Sequence, residues 1–246
     1  SMGLAVLLAI APAAGLAAQT PQNFPTKPIR LIVPFTPGGA VDLLARRIAP
    51  KMIENWGQQV VVDNRPGGGG TIGSSIVAKA TPDGYTLLVS SISYAMSAAL
   101  YPKLPFDPVK DLTGVSQIVV STSLLVVAPS LGVKTVKDLI ALAKQKPGQL
   151  NFGSNGVGGG MHLNAEQFRF AAGIDVVHVP YKGVPEVFVD LMTRRTHYAL
   201  APLVPASPFI RDGRLLAVAV STPHRTAVLP DVPTIAESGF AGFEGV

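Results

Sequence analysis

The chain contains no cysteine. Disulfides, thiolate metal ligands and a cysteine nucleophile are therefore excluded, and the absence suits an exported protein without establishing export. Charge is also scarce: charged residues make up 14% of the chain, and the excess of 20 Lys and Arg over 15 Asp and Glu is scattered singly along it. No basic run is interleaved with aromatics, as a phosphate-tracking surface requires, so nucleic acid is not expected as a partner. The net charge of +5 fits an ordinary soluble surface first and attraction of small anions second.

Catalytic and metal-binding patterns are missing as well. His162, His178, His197 and His224 stand alone in the sequence, without a His-x-x-x-His or His-Glu pairing, and each reads as a surface or satisfied core histidine. Gly153-Ser154-Asn155-Gly156 lacks the spacing of a nucleophile elbow. No glycine turn ends in Gly-Lys-Ser/Thr, which excludes a P-loop. No catalytic residue, metal or cofactor is therefore assigned; an enzyme is not expected, and an exported enzyme using a glycine turn as an anion site stands only as the last alternative.

What is present is apolar material: 48% of the 246 residues are hydrophobic, ample for a buried core. At the start, the apolar run from Leu4 to Ile10 is followed by Pro12 and by small residues around Ala17 and Ala18. This reads as the remainder of a secretory signal peptide, residues 1–18, because Pro12 interrupts the run too early for a membrane anchor. The mature protein is expected to begin near Gln19, outside the cytoplasmic membrane.

Beyond it, short apolar runs alternate with helical patterns. "IRLIVPF" is a strand; a glycine turn follows; then Val41, Leu44, Ile48, Met52 and Ile53 fall near helical spacing, with Gly57 as a stop and Pro50 as an expected kink. "QQVVVD", "TLLVSS", "IVVSTSLLVVAP", "LNFGS", "DVVHVPY", "THYALAPL" and "LLAVAVS" read as further strands, separated by helices except between the third and fourth of these eight. The alternation implies an α/β fold with covered parallel sheets. Pro-rich segments at residues 101–110 and 229–233 suggest two lobes, with the chain crossing near Ser116 to Val127 and returning near Ala217 to Thr222. Residues 24–119 and 220–246 are expected in lobe 1 and residues 120–219 in lobe 2, with the ligand between them.

Three glycine turns, residues 35–42, 64–75 and 152–162, each leave a strand and open a helix. That is where open α/β sheets bind ligands, and the free N–H groups there suit an anion such as a carboxylate. The first and third are the stronger candidates: Thr36, Gly38 and Gly39 on one side, and Ser154, Asn155 and Gly156 on the other, could clamp a small carboxylate. In the second, Gly68, Gly70 and Gly73 match G-x-G-x-x-G, but residues 63–66 intervene after the strand and the expected ribose-binding acid is missing. NAD is not expected.

The segments "VPFTPGGAVDLLAR", "VVVDNRPGGGGTIGSSIVAKATPDGYTLL", "LYPKLPFDPVKDL", "NFGSNGVGGGMHL", "VHVPYKGVPE" and "STPHRTAVLPDVPTIAESG" resemble the Bug-type periplasmic receptors of tripartite tricarboxylate transporters. The resemblance runs from about Pro28 to Gly239. It implies a two-lobed Venus-flytrap (type II periplasmic binding) fold and a small carboxylate held between the lobes: a di- or tricarboxylate, an acidic amino acid or an aromatic acid. Its expected partners are membrane transporter subunits or, alternatively, a sensor histidine kinase, and a monomer is expected. By motif, Phe35, Thr36, Gly38 and Gly39 match the first-lobe loop, Ser90 and Ser91 a strand end, and Ser154, Asn155 and Gly156 the second-lobe loop. Tyr181 and Lys182 match the "PY-K/R-G" turn, and Ala201 and Pro202 lie where a later strand is expected to reach the cleft. Members of the family commonly continue past "GF-E" with a Trp-containing strand and helices, so lobe 1 is expected to be incomplete here. The uncharged Ala201-Pro202-Leu203 favours a ligand whose distal part is apolar or merely hydrogen-bonded.

Overall fold

The computed structural model describes residues 24–245; the expected signal segment lies outside the described residues. The first unit is a three-stranded parallel sheet with β1 (Ile29–Val33) between β2 (Val60–Asn64) and β3 (Thr86–Leu88). Ile29, Leu31 and Val33 share one face at the strand period of two and pack on Ala45 and Ala49 of α1 (Ala40–Trp56). That helix ends where Gly57 adopts φ 66° and donates its N–H to Ile53 O, the left-handed stop that glycine supplies. Pro50 does not split it: α1 runs unbroken from Ala40 to Trp56, with Pro50 on its exposed side. Two shorter helices, α2 (Thr71–Ala78) and α3 (Ile92–Leu100), complete the unit.

The second unit is a mixed five-stranded sheet, ordered β6 (Val177–Pro180), β5 (Asn151–Ser154), β7 (Tyr198–Pro202), β4 (Ser123–Val127), β8 (Leu216–Val220). β5 is parallel to β6 and β7, whereas β4 runs antiparallel to both its neighbours. Every residue of β4 is buried, as a central strand covered on both faces requires. Leu125 and Val127 face a core with Leu139 of α4 (Val136–Gln145) and Phe168 of α5 (Gly160–Ala172). Leu124 and Val126 face the other, with Val187 and Leu191 of α6 (Val184–Met192) and Ala206 of α7 (Leu203–Arg211).

Two expectations are corrected. The strand expected over residues 118–129 forms only at Ser123–Val127, and residues 113–122 are assigned no strand, with Val115 and Val120 exposed. Residues 221–245 do not rejoin the first unit. Thr234 bridges Val220, Gly245 N–H reaches Ser221 O at 2.9 Å, and Ile235 and Phe243 are buried in the core of the second sheet. Phe240 and Phe243 meet Phe168 edge to face at 6.0 and 6.5 Å, so aromatic packing draws this segment to the second unit.

Candidate functional site

The glycine turns converge on a cavity of about 510 Å³ between the two units. The first turn, between β1 and α1, is fixed from below by Asp42, which is 1% exposed. Its carboxylate accepts the Gly38 N–H at 2.8 Å, the Asn64 amide at 2.9 Å and the Arg46 guanidinium at 3.0 Å. The same Asn64 amide donates to Phe35 O at 3.0 Å. Burial alone would raise the Asp42 carboxyl, but Arg46, the Gly38 amide and Asn64 together hold it below its ordinary value. One buried charge thus ties the first turn to the end of β2.

The second turn explains its own composition. Gly67, Gly68, Gly69 and Gly70 have φ of 128°, 58°, 62° and 105°, a run of positive values that only glycine adopts without strain. A β-carbon on Gly69 would overlap Val157 O, and one on Gly156 would lie 3.4 Å from the Gly69 backbone. The second and third turns therefore meet main chain to main chain across the units. The Tyr101 hydroxyl lies 3.0 Å from both Gly68 O and Val157 O, bridging them with a single shared proton.

The third turn is held by a buried polar stack. Ser154 is fully buried; its Oγ lies 2.6 Å from His178 Nε2 and accepts the Gly156 N–H at 3.2 Å. His162 stacks on His178 with ring centroids 4.1 Å apart, and its Nδ1 accepts the Gly158 N–H at 3.2 Å, which leaves the ring proton on Nε2. Burial, and then the neighbouring His162, push His178 down from 6.5 to about 4; burial likewise lowers His162. These two histidines, isolated in sequence, are neighbours in space. The Ser154–His178 contact has the partners of a nucleophile and base but no access, since the serine is sealed beneath the turn.

The fourth contributor is the loop from β6 to α6. Tyr181 donates its hydroxyl to Asp190 at 2.7 Å; burial and that carboxylate raise its pKa, so it offers the cavity a ring wall. Gly183 caps α6 in the place where a β-carbon would overlap the Thr36 hydroxyl, and Thr36 Oγ1 donates to Glu186 Oε2 at 3.3 Å. Gly38 and Gly39 lie near Pro185 and Val184, where a β-carbon would be in ordinary contact at 3.4 and 3.5 Å.

Of the residues expected at the site, Phe35, Asn155, Gly156, Tyr181 and Lys182 line the cavity. Thr36, Gly38 and Gly39 form the contact between units beside it. Ser90 and Ser91 do not line it; Ser91 precedes α3 and its hydroxyl lies 3.1 Å from that of Ser93. Ser154 acts from beneath, through the turn. Ala201 is corrected: it is fully buried in β7, opposite Leu124, and faces the core. Pro202 begins the turn into α7 and does not reach the cavity. Sequence reasoning missed Tyr101, Val157 and Glu186 as lining residues and ranked the second turn below the other two, although Gly67–Gly70 supply a whole wall. The glycine run itself was the available signal; nothing in the sequence pattern marks Tyr101 or Glu186.

Comparison with known proteins follows the same lines. The sequence model described as tripartite tricarboxylate transporter family receptor matches residues 44–246. Protein BugT of Bordetella pertussis is 38% identical over 243 residues, which is 98% of this chain and 74% of BugT. Among solved structures, R. palustris Rpa4515 with adipate superposes with a TM-score of 0.87 at 39% identity, covering 90% of this chain and 74% of that one. MatC from Rhodopseudomonas palustris with bound malate gives 0.84 at 30% identity, covering 90% and 76%.

Proposed function

The chain belongs to the tripartite tricarboxylate transporter receptor family, and from that premise we propose that it is a periplasmic receptor that captures a small carboxylate and delivers it to a membrane transporter. The observation that carries this reading is the meeting of glycine turns around one cavity, with Lys182 on its wall. Backbone N–H groups and a single ammonium suit a carboxylate, which needs donors and brings its own charge. The adipate and malate named with two similar structures support a ligand of that class.

Capture works by closure between a lobe built on β1–β3 and one built on β4–β8. The contacts that join the lobes, Thr36 on Gly183 and Gly69 on Val157, exist only when the lobes are together. A ligand that touches both walls therefore favours the closed state by its differential affinity. No covalent step is required.

Native mass spectrometry of the purified protein against a denatured control tests the reading, followed by a thermal-shift panel of aliphatic and aromatic carboxylates. A released small acid, or a stabilisation that rises with ligand concentration and reaches about 2.7 kcal/mol at a hundredfold excess over Kd, is expected. No released acid and a flat panel would reject the receptor function.

A further inference from the structure

One wall of the cavity carries a charge that a carboxylate receptor does not need. Glu186, in the first turn of α6, lines the cavity together with Lys182 and Tyr181. It is half-buried, and among the described residues its one polar partner is Thr36 Oγ1, at Oε2. Among the described residues its Oε1 has no hydrogen-bond partner, and neither Glu186 nor Lys182 forms an ion pair. A carboxylate placed in the path of anionic ligands repels them unless the ligand presents something that it can accept.

We propose that Glu186 is a specificity-determining residue that selects carboxylates bearing an O–H or N–H donor, hydroxy acids or amino acids, over counterparts with hydrogen in that place. The inference rests on the carboxylate-receptor reading and names the substrate class within it. The wall pairs one cation with one acceptor: Lys182 and the glycine amides take the ligand carboxylate, and Glu186 Oε1 takes the donor. Closure brings Thr36 of the opposite lobe onto Oε2, which leaves Oε1 as the oxygen available to accept from a ligand. A ligand without the donor would leave that oxygen desolvated and unpaired, the situation in which a site built for a hydroxyl or amine discriminates most sharply.

The test is calorimetric titration with matched sets: succinate, malate and aspartate; glutarate, 2-hydroxyglutarate and glutamate; adipate and 2-aminoadipate. Wild-type protein is expected to bind a donor-bearing member at least about tenfold tighter than its plain counterpart. Glu186→Ala should abolish that preference, by improving the plain acid as well as weakening the other. Glu186→Gln keeps the shape and an acceptor, so it should retain preference for a hydroxyl and lose preference for an ammonium. Equal or tighter binding of the plain acids by wild type, or an unchanged preference in both variants, would overturn the role of Glu186 while leaving the receptor reading intact. Failure of every carboxylate to bind wild-type protein would overturn both.

Discussion

The hydroxyl of Thr36 occupies the place that a β-carbon of Gly183 would take. Thr36 belongs to the turn after β1 and Gly183 to the cap of α6, so the two residues register one unit against the other at atomic contact. Gly183 has an extended backbone, φ −171°, which any residue adopts. Its lack of a side chain therefore serves the contact and not the local conformation. Gly183→Ala should fold normally but close poorly: a carboxylate affinity reduced at least tenfold by calorimetry, with an unliganded unfolding midpoint close to wild type, is the expected result. Unchanged affinity would mean that the contact is dispensable for binding.

Tyr101→Phe isolates the bridge between the second and third turns. Losing one hydroxyl that serves two carbonyls should cost about 1 kcal/mol, or roughly a fivefold weaker Kd. Because the bond to Val157 O crosses between the units while that to Gly68 O lies within the first, the loss in chemical denaturation of the unliganded protein should be smaller than the loss in binding. An equal loss in both measurements would make the residue a stability element instead.

Asp42→Asn addresses the support beneath the first turn. Three donors converge on the native carboxylate, and the amide cannot accept them all. A destabilisation of about 1–3 kcal/mol at neutral pH is expected from urea titration. Since the folded value lies below 3.8, the wild-type contribution is complete above that value and is lost as the pH falls through the lower, folded one. The acid limb of the stability profile should accordingly be shallower in the variant.

His178 predicts a second pH dependence, at milder acidity. Its value falls from 6.5 to about 4 on folding, so the folded state resists a proton that the unfolded chain accepts. Stability attributable to the neutral ring is complete above 6.5 and declines toward pH 4, by about 1.4 kcal/mol per unit and about 3 kcal/mol at most. His178→Gln should flatten unfolding free energies measured between pH 7 and 4. Parallel curves for the two proteins would contradict the assignment.

The strand, turn and helix of the first unit were legible because local pattern and tertiary role coincide there: Ile29, Leu31 and Val33 alternate, and Gly57 ends α1. α3 was not legible, since its buried positions are Ser93 and Ser97 and hydrophobic periodicity registers no stripe of serines. The destination of residues 221–245 depends on Phe240 and Phe243 meeting Phe168, a contact across more than one element that no local window contains. At the site, motif positions such as Phe35, Asn155 and Tyr181 were readable because glycine and turn chemistry mark them. Ala201 was misread because β7 is a central strand covered on both faces, so Tyr198 through Ala201 are all buried and only Pro202 at its end is partly exposed. Glu186 sits in the first turn of α6, and its place in the cavity wall and its contact with Thr36 are facts of packing between distant segments.

The contact of Gly69 with Val157 is made by main-chain atoms on both sides, whereas Phe35, Tyr181, Lys182 and Glu186 add side chains to a cavity wall that is in part glycine backbone. On the receptor reading, exchanging Lys182 would alter what is recognised without touching the Gly69–Val157 backbone contact, so new acids could be accommodated by wall substitutions while that contact is kept. The same separation makes the molecule a natural starting point for a fluorescent reporter, with dyes on the two lobes answering to closure whatever ligand the walls are set to accept.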